Sequence, residues 1–157
     1  HALGGGVLRD IPPQAMLDRI PEVKNRVPDR AILRALHFYD EDARIPRLVE
    51  ALERDDLPAF FAGIIASGES SWKLLQNLYV AGSENQEMAL ALELSRRLLE
   101  GRGAWRIHGG GFAGTILAFV PFDLLDAYRA RMNAVFGESA CTTLSVRPVG
   151  PAVVGRT

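Results

Sequence analysis

Residues 104–120 read AWRIHGGGFAGTILAFV, and this run decides the fold. Ala104-Trp105-Arg106-Ile107 reads as a strand, and 115–120, β-branched at its start and then apolar, reads as a second, buried one. Between them lies His108-Gly109-Gly110-Gly111-Phe112-Ala113-Gly114. Consecutive glycines let the backbone take positive φ and approach a ligand with no Cβ in the way, so successive N–H groups can converge on an anion. The loop formally satisfies G-x-G-x-x-G through Gly109, Gly111 and Gly114. A dinucleotide site, however, needs a helix directly after the loop within a βαβ unit, and here a strand follows. A phosphate cradle and a plain strand–turn–strand in need of flexible residues both fit the loop taken alone.

Upstream of the hairpin the apolar period is helical. Ile32, Leu33, Leu36 and Tyr39, then Ile45, Leu48, Val49 and Leu52, predict a long helix from Asp29, which Pro46 is expected to kink or divide. Asp55, Asp56 and Pro58 form a helix-start signal for a segment carrying Phe60, Phe61, Ile64 and Ile65. This segment ends near Ser67-Gly68 or continues towards Tyr79. Glu84 to Glu100 predicts a third helix, with Leu90, Leu94 and Leu98 aligned, Arg96 and Arg97 near its negative end, and Gly101 and Gly103 stopping it. At the other extreme, 1–10 is a short glycine-rich lead-in. Ile11-Pro12-Pro13 breaks it from a modest helical stretch, Gln14 to Arg19.

Downstream, Pro121-Phe122-Asp123 opens a helix with Leu125, Tyr128, Met132 and Val135 on one face. Thr143 to Arg147 predicts a third strand, with Leu144 and Val146 pointing one way. Helices first and then β-β-α-β imply the α+β class: helices packed on a small antiparallel sheet in a single domain, 1–157, with a helical half at 29–100 and a β-β-α-β half at 104–154.

Composition narrows the function classes. A chain of 157 residues fits one domain and buries roughly 70% of the surface its unfolded form exposes. Lys plus Arg (18) nearly balances Asp plus Glu (19), and the arginines are scattered, which argues against nucleic acid or an anionic membrane as partner. Cys141 is the only cysteine, so no internal disulfide and no cysteine-based zinc site are expected. His1, His37 and His108 stand apart in sequence, and no metal site is expected. There is no apolar run of about 18 residues and no leader-like pattern at the start, which predicts a cytoplasmic protein. A first residue of His1 instead of Met leads to the expectation that the chain is a piece of a longer polypeptide.

Three stretches carry a family resemblance. The run from Arg106 through the glycines to Val120 is similar to the third signature motif of the galactokinase, homoserine kinase, mevalonate kinase and phosphomevalonate kinase superfamily. Arg30 to Arg44, with Arg34, Ala35, His37, Glu41 and Arg44, resembles the R-A-x-H-x-x-x-E-x-x-R helix of galactokinases. Ala51-Leu52 through Asp56-Leu57 and Phe60 to Ser67 and Ser70 resembles the A-L-x-x-G-D-L-x-x-F and S-x-x-S stretch of the same family. Together they cover about two thirds of the chain in the expected order. Where galactokinases commonly carry Ser-Cys-Pro-Glu-Leu-Asp, this chain has Gln76-Asn77-Leu78-Tyr79 and then Ser83 to Gln86.

The resemblance implies the C-terminal, ferredoxin-like domain of a galactokinase, which transfers the ATP γ-phosphate, with Mg²⁺, to the 1-hydroxyl of galactose. It also implies that no catalytic residue lies in this chain. The Pro-x-x-x-Gly-Leu-Ser-Ser-Ser phosphate loop, the catalytic Asp and Arg and the Gly-Glu-His-Thr-Asp-Tyr sugar motif belong to an N-terminal kinase domain, the implied partner. Gly109, Gly110, Gly111, Phe112, Ala113 and Gly114 would support the nucleotide's phosphates, and His108, Ser67, Ser70 and Asn77 are candidates for lining the cleft. Blander roles stand beside these: His37 in a structural hydrogen bond, the serines as helix caps, Trp72 and Trp105 in packing, Cys141 as a small buried hydrophobe. The piece alone is expected to be inactive, tight binding of ATP or Mg²⁺ to it is not expected, and it could dimerise through an apolar face left uncovered. A non-catalytic sugar sensor and a module binding a small anion or a protein are the alternatives.

Overall fold

Two proline-initiated helical turns, α1 (Pro13–Asp18) and α2 (Ile20–Val23), lead into the longest helix, α3 (Asp29–Glu53). The computed structural model describes residues 4, 6–112, 114–146 and 148–150. Met16 and Val23 are buried against Ile32 and Ala35 of α3, and Leu8, Ile11, Ile20, Val27, Leu36 and Tyr39 complete the cluster. The Tyr39 hydroxyl lies 2.9 and 3.0 Å from the Leu8 and Ile11 carbonyls, so one shared proton ties the lead-in to α3.

Pro46 does not divide α3, contrary to the expectation from its missing N–H. Pro46 and Asp42 are both exposed, so water can take up the carbonyl that the ring leaves unpaired, and packing of the helix on its neighbours outweighs the local cost.

Asp56 accepts from the Ala59 N–H at 2.9 Å and starts α4 (Leu57–Ser70), as the acidic pair and proline suggest. The helix does not stop at Ser67-Gly68. It passes into a wider π-helical turn, Ser71–Leu75, and ends where Gln76 turns left-handed at φ 56°. Helix α5 (Glu87–Leu99) begins later than the acidic run at Glu84, because the Asn85 N–H bonds to the Ser83 hydroxyl and holds a turn there. Its core face is Met88, Ala91, Leu92, Ser95 and Leu99. Leu90, aligned with Leu94 and Leu98 in the sequence, is 49% exposed.

Strands β1 (Ala104–His108) and β2 (Thr115–Phe119) pair antiparallel, with Ala104 opposite Phe119 and His108 opposite Thr115. In this first unit α3 packs on α4, while α4 and α5 pack on the hairpin. Gly68 lets α4 lie close to β1: a Cβ there would be 3.2 Å from the Arg106 Cα and the Trp105 carbonyl oxygen. Phe60 and Phe61 meet Phe119 at ring distances of 5.6 and 5.7 Å. The unit spans His1–Pro121.

The second unit, Phe122–Thr157, holds a short 3-10 turn (Phe122–Leu124) and α6 (Leu125–Phe136). Gly137, at φ 101°, ends α6, and the Asn133 side chain accepts the Cys141 N–H at 3.2 Å. The third strand expected at Thr143 to Arg147 does not form over 143–146, and Arg147, like 151–154 and the first residues of the lead-in (1–3 and 5), lies outside the described residues. Leu144 and Val146 are 74% and 95% exposed. A β-prone sequence makes a strand only where a ladder partner receives it, and none is described here. The α+β class holds, with two strands in the sheet where three were expected.

Candidate functional site

The β1–β2 register places Gly109–Phe112 and Gly114 in the hairpin loop. Gly109, Gly111 and Phe112 are left-handed, at φ 69°, 83° and 66°. Glycine takes such angles freely, whereas Phe112 holds one at a cost of about 1–2 kcal/mol. Something must over-determine that conformation, and the partner is the turn after α4.

Asn77, only 2% exposed, sits beneath the loop. Its main-chain carbonyl accepts the Phe112 N–H at 2.7 Å, and its side-chain Nδ2 donates to the Gly110 carbonyl at 3.1 Å. Asn77 is itself held from behind. The Gln76 N–H bonds to the Ser71 carbonyl at 2.8 Å, and the Arg30 guanidinium of α3 donates to the Gln76 carbonyl at 3.1 Å. At Gly111 a Cβ would fall 2.2 Å from the Asn77 carbonyl oxygen, so glycine is required there by contact as well as by φ. At Gly109 and Gly110 a Cβ would meet nothing within 4 Å, so the backbone there is open.

A second polar constellation joins α3 to α4. Four residues apart on α3, His37 and Glu41 share one face, and three apart on α4, Ser70 and Ser67 share another. The antiparallel packing pairs them: His37 Nδ1 and Ser70 Oγ are hydrogen-bonded at 2.9 Å, and the Ser67 hydroxyl donates to Glu41 Oε2. Arg44 Nε donates to the other carboxylate oxygen at 2.9 Å. Burial pushes the Glu41 carboxyl up, but the hydrogen bonds from Ser67 and Arg44 and the charges of Arg44 and His37 outweigh it, leaving it below the ordinary carboxylate value. His37 lies below the ordinary imidazole value, chiefly because burial disfavours the charged ring.

The sign for His37 follows from linkage. Its folded pKa is depressed, so stability is complete above the unfolded value of about 6.5 and declines as pH falls through it towards the folded value. A His37→Gln variant is expected to lose this decline. Chemical denaturation at several pH values between about 5 and 7 checks it, and an unchanged slope would contradict the assignment.

The structure therefore brings Asn77, Gly110, Gly111 and Phe112 together, keeps Gly109 and Gly114 in the same loop, and leaves Ser67, Ser70 and His108 outside this contact. Ser67 and Ser70 are buried and face Glu41 and His37, not the loop. His108 is exposed at the end of β1, and Ala113 lies outside the described residues. Trp105 is buried and Trp72 partly exposed. Cys141 is half-buried, and burial raises its thiol above the ordinary value. Among the described residues no group of three or more His, Cys, Asp or Glu is arranged to hold a metal ion, and no helix is long and apolar enough to cross a membrane. The sequence reading missed Arg30 as the brace of the 76–77 turn. Its signal was only a basic residue in the first turn of α3.

No family model matches the chain. Over 126 residues, 80% of its length, it is 29% identical to the galactokinase of Glaesserella parasuis. It is 30% identical over 126 residues to a galactokinase of Haemophilus influenzae, and 28% identical over 118 residues, 75% of the chain, to one of Actinobacillus pleuropneumoniae. These matches take in 31%, 31% and 29% of the relatives, so the chain spans about a third of the length of the curated proteins it matches. The likeness fits a C-terminal galactokinase-like domain.

Proposed function

We propose that the chain is a galactokinase-like kinase domain and that it forms one side of the active-site cleft of a sugar kinase that phosphorylates the 1-hydroxyl of galactose. The observation that carries this reading is the likeness to galactokinases along 126 residues. Bound ATP would supply the phosphoryl group, with Mg²⁺ on its phosphates. Phosphoryl transfer asks the protein mainly for alignment and charge stabilisation. This chain's part is the Gly109–Gly114 loop, whose open main chain at Gly109 and Gly110 suits a close neighbour such as a phosphate group. On the galactokinase likeness, the Mg²⁺ ligands and the catalytic groups are assigned to an N-terminal kinase domain, the proposed partner. Ile45, Val49 and Leu52 form an exposed apolar row on α3 of the kind that a neighbouring domain covers.

An ADP-release assay of the longer polypeptide, with a sugar panel led by galactose and the 157-residue chain as control, tests the reading. Galactose-dependent turnover by the longer chain and none by the shorter is expected. Silence from both would turn the assignment towards a non-catalytic sugar sensor.

A further inference from the structure

We propose that Asn77 is a positioning residue that sets which way the peptides of the glycine loop face, and that it does so by turning the Gly111 N–H out of the protein as a donor for a phosphate or hydroxyl oxygen. In a trans peptide the C=O and N–H point in opposite directions, and the described chain has no cis peptide. Asn77 Nδ2 holds the Gly110 carbonyl inward, so the N–H of the same peptide, that of Gly111, points away from Asn77. The Asn77 main-chain carbonyl holds the Phe112 N–H inward, so the Gly111 carbonyl points away in turn. One residue thus sets two successive peptides. Glycine at 110 and 111 makes such a device necessary, because without side chains these peptides rotate at little cost.

Two further features support the assignment. Asn77 is almost fully buried, yet its Oδ1 has no hydrogen-bond partner among the described residues. A buried unpaired acceptor costs about 1–3 kcal/mol, and a residue chosen for stability alone would not carry one. Its turn is also braced, with Gln76 left-handed and its carbonyl held by Arg30 across the helix pair. The wide π turn between Ser71 and Leu75 is what delivers Asn77 to this point.

The role in phosphate alignment rests on the kinase reading, but the peptide orientation does not, and the experiment separates them. Asn77→Asp changes one atom's chemistry. The introduced carboxylate repels the Gly110 carbonyl and favours a flipped peptide in which the Gly111 N–H turns inward to it. In the ¹⁵N-labelled chain, the protection factor of the Gly111 amide should rise about fivefold to tenfold, as expected for one new hydrogen bond. The Phe112 amide, bonded to the main chain of residue 77, should not change. Lowering the pH protonates the introduced carboxyl, which can then donate to the Gly110 carbonyl, so Gly111 protection should fall back. In the longer sugar kinase the same variant should lower kcat by about tenfold to a hundredfold and partly recover as the pH is lowered.

Should Asn77→Asp fail to fold, Asn77→Ala reads the same point: the Gly111 amide signal should broaden or shift while that of Phe112 stays protected. An unchanged Gly111 amide in whichever variant folds overturns the proposal, whatever the enzyme assay gives. A changed amide with no turnover in the parent chain leaves the positioning role standing and removes only the kinase reading.

Discussion

Gly111→Val should lower the melting temperature of the chain by about 8–15 °C, corresponding to roughly 3–5 kcal/mol. Two costs add. At φ 83° a β-branched side chain is forced into the left-handed region, and its Cβ would meet the Asn77 carbonyl oxygen at 2.2 Å, with Asn77 Nδ2 and Ile107 Cδ1 at 2.8 Å. The oxygen is main chain and already accepts the Phe112 N–H, so it cannot move aside without breaking the bond that holds the loop. Gly110→Ala is the matched control. Nothing lies within 4 Å of a Cβ there and the backbone is not left-handed, so the melt should move by no more than a degree or two. If Gly110→Ala nonetheless lowers turnover of the longer enzyme, the open side of the loop is where a ligand or neighbouring domain comes close. Equal melts for the two variants would contradict the packing of Asn77 beneath the loop.

Glu41→Ala is expected to destabilise by about 2–4 kcal/mol, the second largest effect. Removing the carboxylate leaves the Ser67 hydroxyl, wholly buried, with no acceptor and takes the partner from the half-buried Arg44 guanidinium. Glu41→Gln should cost less, because its amide oxygen can still accept from Ser67, while the Arg44 bond and the charge facing it are lost to an NH₂ donor. The pair also differs in acid. Because the folded Glu41 pKa is below the ordinary value, the carboxylate adds stability that is present above the unfolded pKa of about 4.3 and lost as pH falls through the folded one. Both variants should lose that acid limb in urea titrations. Equal stabilities at neutral pH would mean that the Ser67 bond contributes nothing.

The two constellations differ in how far they could be read from the residues alone. On α3 the spacing of His37 and Glu41 already placed them on one face, and on α4 the same held for Ser67 and Ser70. Their role did not follow, because which serine meets which partner depends on how two helices slide past each other. That slide is set by close contacts such as Gly63 against Leu48, where a Cβ would be 2.5 Å away. The serines therefore read as caps or cleft residues in the sequence and turn out to join two helices. The glycine loop read equally well as a phosphate cradle or a flexible turn. Its individual glycines are told apart only by the fold, where a Cβ at Gly111 would meet Asn77 and one at Gly110 would meet nothing.

Local signals sufficed for the starts of α3 and α4, the two strands and the α+β class. Proline, acidic caps and apolar periodicity act within a turn or two of their own position. Four outcomes needed the folded chain: the continuity of α3 through Pro46, the core face of α5, the missing strand at 143–146, and the left-handed Phe112. Each depends on a partner distant in sequence or on the lack of one. Hydrogen-bond ladders, burial and close contacts are properties of pairs of segments, and a single segment's composition carries only its half of each pair.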